Sequence, residues 1–169
     1  MSFVKVQGQT LNQVYIEDLI GDLISGVTNI ERNDVRPAHQ PIHPSYTQNK
    51  DVCVFNIHRE ITKGYWGGSG DKYYDRSEAT VNLYFYGLNS YENVNMFKRG
   101  IFIEQNRYEL MKNNINIIKV SDIYEVPIPI NGIEVLRHDI NVFLSIARNM
   151  EIKGSYFLNI PEINFNGGK

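Results

Sequence analysis

The residues able to do acid–base or nucleophilic chemistry are few and scattered. The chain carries four histidines, His39, His43, His58 and His138, and one cysteine, Cys53. His39 and His43 stand four apart, a spacing that brings two imidazoles to one metal when a helix aligns them. Pro37, Pro41 and Pro44 exclude that helix, and no third ligand follows nearby. "HRE" (58–60) and "RHD" (137–139) fall in alternating runs, so His58 shares a face with Glu60, and Arg137 with Asp139. Were those strands neighbours, the four side chains would converge as an acid–base site. The plainer reading is cross-strand charge pairing on a solvated or interface face. Cys53 sits in an apolar row and reads as a small buried hydrophobe, not a nucleophile. No G-x-S-x-G elbow is present. No catalytic, metal or cofactor residue is predicted.

"GYWGGSGDKYY" (64–74) poses a second question, whether its glycines cradle a phosphate. A P-loop leads from a strand into a helix and ends in Gly-Lys-Ser/Thr. Here Lys72 is followed by Tyr73, and G-x-G-x-x-G is missing too. The flanking runs answer the question. In "DVCVFNIHREIT", Cys53, Phe55, Ile57 and Ile61 alternate with polar residues, with Arg59 interrupting. In "SEATVNLYFYG", Ala79, Val81, Leu83 and Phe85 do the same. Two such strands around a Gly-rich connection form a β-hairpin, with a loop expected over 63–75. Gly67, Gly68 and Gly70 predict a mobile tip. Tyr65, Trp66, Tyr73 and Tyr74 give it sticky surface, which either orders on a partner or folds back on its own hairpin.

The chain has 169 residues, 42% hydrophobic and 21% charged, enough for one globular domain with a sizeable core. A net charge of −2 lacks the basic excess of a generic nucleic-acid binder. No apolar run is long enough to span a membrane, and "MSFVKVQGQT" lacks the apolar stretch of a signal peptide. A single cysteine allows no internal disulfide, which suits folding in a reducing cytoplasm.

Other elements follow from period and punctuation. Thr10 and Gln13 have capping-box spacing, and Leu11, Val14, Tyr15, Leu19, Leu23 and Val27 mark a helix that Gly26 would end in the left-handed region. "DVRPAHQPIHPSYTQNKD" reads as an extended arm or edge strand over 34–50. Asn89 or Ser90 caps a second helix running through "YENVNMFKRGIFIEQNRYELMKNN", with Val94, Phe97, Ile101, Tyr108 and Met111 as its stripe, Met96 and Ile103 widening it, and Gly100 allowing close approach to the sheet. Asn113-Asn114 is the expected stop. "INIIKV" is a short strand, Asn131-Gly132 a turn, and "IEVLRHDINVFLSIARNMEI" a long strand. Its Leu136, His138, Ile140, Val142, Leu144 and Ile146 are expected inward, and Asp139, Asn141 and Ser145 outward. The predicted fold class is α+β, a largely antiparallel sheet with a long β-hairpin flanked by two main helices. The chain reads as a single domain over 1–169, with its core over about 10–148 and a polar tail over 150–169.

This layout resembles the phage neck or tail-terminator family, the small ring proteins that cap the tail tube beneath the head. "ATVNLYFYG" leads directly into a helix, as the family's strand ends in "YG" before its second helix. "NNINIIKVSDIYEVPIPINGIEVLRHDINVFLSI" is similar to the family's strand, Pro- and Asn-Gly-bearing loop, charged residue and long closing strand, with Arg137 at the usual arginine. "VRPAHQP" replaces an aromatic-rich strand, and the resemblance covers about 10–148. The Trp-bearing tip and Asn-rich tail match no family signature. The resemblance implies a virion structural protein, not an enzyme, assembled in the host cytoplasm and needing no cofactor. It implies a ring, usually a hexamer. The implied partners are the chain itself, the tail tube protein, a connector or head-completion protein, and a sheath protein if the tail is contractile. DNA would be met only in the ring lumen, and no membrane is involved. The expected interface residues are Tyr65, Trp66, Lys72, Tyr73, Tyr74, Arg36, His39 and Arg137. The alternatives are a head-completion or minor virion protein, and an enzyme using His58, Glu60 and Asp139.

Overall fold

A computed structural model describes residues 7–8, 13–40, 50–66, 72–130 and 133–151. Two fifteen-residue strands, β3 (Val52–Trp66) and β4 (Lys72–Tyr86), form the hairpin, and a third of the same length, β9 (Arg137–Glu151), pairs antiparallel with β4 along its whole length. β2 (Val35–Pro37) lies parallel on β3, the one parallel pairing among the described residues. On the far side of β9 lie β1 (Gln7–Gly8), β5 (Ile115–Val120) and β6 (Tyr124–Glu125). β7 (Ile128–Ile130) and β8 (Ile133–Val135) form a separate ribbon in which Ile130 faces Ile133 across the predicted turn; Asn131 and Gly132 lie outside the described residues. The sheet is thus largely antiparallel, and with α1 (Gln13–Val27), α2 (Ser90–Gly100) and α3 (Glu104–Lys112) it makes an α+β fold.

Alternation decides which face of the sheet is covered. Cys53 and Phe55 on β3, Ala79, Val81, Leu83 and Phe85 on β4, and Ile140, Val142, Leu144 and Ile146 on β9 are all buried in one cluster with the helices' apolar residues. That cluster takes Ile16, Ile20 and Ile24 from α1, so the helix is turned relative to the predicted stripe. Leu19, Leu23 and Val27 are only partly buried, and Tyr15 is exposed, its hydroxyl bonded to Asn113 Oδ1. Leu11 and the Thr10 cap lie outside the described residues. Gly26 is helical and does not have positive φ. On β9, Leu136 lies before the strand and is exposed, while Ser145 is on the outward face as expected but is buried there, its hydroxyl accepting from Arg76 Nε at 2.8 Å.

The single second helix expected after Asn89 is two helices. α2 ends at Gly100, where tight turns (Phe102 N–H to Arg99 O, 3.3 Å; Ile103 N–H to Gly100 O, 3.1 Å) reset the direction, and Ile103 is extended. α3 therefore buries Leu110 and exposes Tyr108 and Met111, and Ile103 ahead of it is exposed too. Gly100 makes its close approach to α1, not to the sheet: a Cβ there would stand 2.7 Å from Val27 Cβ. The predicted Asn113-Asn114 stop is present, with Asn114 at φ 58°.

Four hydrogen bonds, one of them fully buried, tie α2 to the sheet. Gly87, at φ +110°, turns the end of β4 into the helix. Neither Asn89 nor Ser90 caps α2 with its own side chain. Asp51 does so from the start of β3, accepting the Asn89 backbone N–H at 3.1 Å and the Asn89 and Asn93 amides at 2.9 and 3.2 Å. Ser90 Oγ lies 2.9 Å from His138 Nδ1, both buried, with the Tyr91 ring centred 5.3 Å from the imidazole.

Candidate functional site

The hairpin ladder runs further than the expected 63–75 loop allowed. Tyr65 pairs with Asp75 and Trp66 with Tyr74, so all five predicted hairpin residues lie on strands. On its other side β4 continues against β9, with Lys72 opposite Glu151, Tyr73 opposite Met150 and Tyr74 opposite Asn149. The expected tail from 150 therefore begins inside β9. At 3.3–3.4 Å per residue, strands of this length span about 50 Å. Gly67, Gly68 and Gly70 lie outside the described residues.

A second aromatic group sits on the outward face at the opposite end of the same strands. Arg137 lies opposite Tyr86 and Asp139 opposite Tyr84, and cross-strand partners share a face. The guanidinium carbon is 5.1 Å from the Tyr84 ring centre and 6.0 Å from that of Tyr86. Arg137 Nη2 donates to Asp139 Oδ2 at 2.9 Å. Nε and Oδ1 are 2.8 Å apart without a directional hydrogen bond, so that contact is electrostatic. Tyr124, opposite Asp139 on β6, extends the row and is exposed.

Burial pushes the Asp139 carboxyl up, and Arg137 offsets this only in part. Burial works against the Arg137 charge as well, but Asp139 and Tyr86 outweigh it and hold the guanidinium up. The two shifts disagree about what the pair is worth. The carboxyl's is the more telling, because a guanidinium stays charged at every working pH. Burial likewise raises the Tyr86 phenol, against the pull of Arg137.

The arm is an edge strand over Val35–Pro37, and Arg36 Nε donates to the Asn33 carbonyl at 3.0 Å. His39 is exposed, its Nε2 3.7 Å from Glu17 Oε2. His43 lies outside the described residues, and among the described residues no three His, Cys, Asp or Glu side chains gather as a metal site. Cys53 is fully buried, which raises its thiol far above the reactive range.

The conditional acid–base cluster does not form. β4 separates β3 from β9. His58 is opposite Thr80 and Asp139 opposite Tyr84, four residues along and two strand spacings across, or about 16 Å. The expected cross-strand charge pair is instead a same-strand pair, Arg137 with Asp139, bracketed by tyrosines from β4. Tyr84 and Tyr86 were readable as outward residues, but their partner was not, because only the register joins them to Arg137.

One face of the sheet is packed under the helices, and the other carries an arginine bracketed by two tyrosines. A family model described as phage neck terminator protein matches residues 14–169, and the chain belongs to that family. The match runs past residue 148, where the resemblance was legible, and so includes the C-terminal segment. No curated protein matches the chain. It is a structural protein of the phage neck, a family of virion components and not of enzymes. Among the described residues no helix is long and apolar enough to cross a membrane.

Proposed function

We propose that this chain forms a homo-oligomeric ring, a hexamer, that stops tail-tube polymerisation and joins the tube to the head-side connector or head-completion protein. A sheath protein is a further partner if the tail is contractile, and DNA is met only in the lumen. The observation that carries this reading is family membership across nearly the whole chain. The fold supports it, since a ring needs two different complementary surfaces per subunit and this sheet has aromatic groups at two separate ends.

On this reading Tyr65, Trp66, Tyr73 and Tyr74 are the anchors of the hairpin contact. Lys72 lies at its rim, where charge governs rate more than affinity. Arg36 and His39 on the edge arm and Arg137 on the outward face contribute to the other contacts. Native mass measurement and negative-stain imaging, on the chain alone and mixed with tail-tube protein, test the reading. A six-fold particle is expected, and a strict monomer under both conditions refutes it.

A further inference from the structure

The β7–β8 ribbon has an apolar face that takes no part in the core. The two strands form a sheet of their own, with Ile128 opposite Val135, Pro129 opposite Glu134 and Ile130 opposite Ile133. Alternation places Ile128, Ile130, Ile133 and Val135 on one face and Pro129 and Glu134 on the other. Neither Ile128 nor Val135 belongs to the apolar cluster or to the residues packed against it. A two-stranded ribbon is marginal in water, so a row of aliphatic residues along it calls for a covering surface. Pro127 and Pro129 have no N–H, which makes that edge a poor template for another strand and leaves the face as the surface that docks.

A surface of matching chemistry lies at the corner between α2 and α3. Phe102, Ile103, Tyr108 and Met111 are each more than half exposed. Tyr108 and Met111 line a shallow hollow there with Glu104, Gln105 and Arg107. The charges match as well. The ribbon end carries Glu125 and Glu134, both exposed and without an ion pair among the described residues. The corner carries Arg99 and Arg107 in the same condition, against one carboxylate, Glu104. Other charges nearby cancel, Arg137 with Asp139 at the ribbon end and Lys112 with Glu109 on α3. The ribbon is thus acidic and the corner basic.

The two surfaces fall outside each other's reach in one chain. The ribbon springs from the start of β9, where the Val126 N–H donates to the Arg137 carbonyl at 2.8 Å. Ser90 lies at that same end beside His138, and α2 then runs about 15 Å before Gly100 opens the corner. α3 leads on to Ile115, opposite Ile146, about 30 Å along β9 from Arg137. The ribbon's short strands reach about 10 Å.

We propose that the apolar face of the β7–β8 ribbon docks on the α2–α3 corner of a second copy, with Ile128 and Val135 against Tyr108 and Met111 and Glu134 at the rim beside Arg107. A contact between two different patches of one chain repeats head to tail, as a ring requires. This rests on the self-association proposed above.

The test uses the full chain with photoreactive benzoylphenylalanine at position 128, mixing ¹⁵N-labelled and unlabelled protein before assembly. Cross-links between copies, reaching peptides that contain 99–111, are expected. Cross-links within one chain, or only to other surfaces, overturn the proposal. Ile128→Asp should raise the dissociation constant of the assembly about tenfold while leaving the subunit's melting temperature unchanged, because Ile128 is outside the core. An unchanged constant overturns the proposal. Glu134→Arg and Arg107→Glu should each weaken assembly, and the two together in one chain should recover most of the loss. Losses that simply add refute the pairing of these surfaces. An assembled ring without the expected cross-link defeats this proposal alone, whereas a strictly monomeric chain defeats the ring reading as well.

Discussion

Replacing Asp51 by Ala probes the joint on which the helical layer depends. The carboxylate caps α2 from another strand, at 3.1 Å from the Asn89 N–H, and holds the Asn89 and Asn93 amides at 2.9 and 3.2 Å. Losing a helix N-cap costs about 1 kcal/mol. Asn93 is only 1% exposed, so its unmet amide hydrogen adds about 1–3 kcal/mol. Its carbonyl, which accepts the Asn29 N–H at 3.2 Å, ties the loss to the segment after α1. The expected total is about 2–4 kcal/mol, or a fall in melting temperature of about 4–16 °C for a chain of this size. Asp51→Asn keeps the shape and one acceptor and should lose about half as much. Urea unfolding and thermal melts followed by circular dichroism measure both. If Asp51→Ala stays within about 0.5 kcal/mol of wild type, the size of a neutral surface change, the capping argument is wrong.

Gly87→Ala should cost more than about 2 kcal/mol, because φ is +110° and the new Cβ would lie 2.3 Å from Asp51 Oδ1; an unchanged urea midpoint would refute this. Asp139 holds its proton to higher pH when folded than its ordinary 3.8, so the folded state binds more protons across that window. Wild type should therefore gain stability relative to Asp139→Asn as pH falls from neutral toward 4, and a constant difference in denaturant titrations would count against the burial account. Trp66→Ala should weaken ring assembly by about 2 kcal/mol or more while leaving the subunit's melting temperature nearly unchanged. The opposite pattern, lower stability with intact assembly, would mean that Trp66 packs on its own hairpin.

Much of the sheet was legible because a strand's side-chain alternation is local. The rows from Ala79 to Phe85 and from Ile140 to Ile146 alternate in the sequence and are buried as that alternation requires. The turn after "YFYG" and the stop at Asn113-Asn114 were equally readable, since left-handed backbone selects Gly and Asn at the residue itself. Family membership was legible for a related reason, as it rests on the order of such local elements.

What the sequence left open depended on pairings between distant segments. Both Leu19–Leu23 and Ile16–Ile20–Ile24 have helical spacing, and only contact with the sheet chose the isoleucines. The run after Asn89 has one continuous apolar stripe, yet tight turns after Gly100 make its second half a separate helix that buries Leu110. His58 and Asp139 were candidates until β4 came between their strands. Arg137 found Tyr84 and Tyr86, fifty or more positions away, through the register of β4 on β9. Backbone propensity and side-chain alternation act over a few residues and are written in the chain. Strand order, register and the phase of a helix are fixed only when whole apolar faces are buried together, so they belong to the tertiary structure.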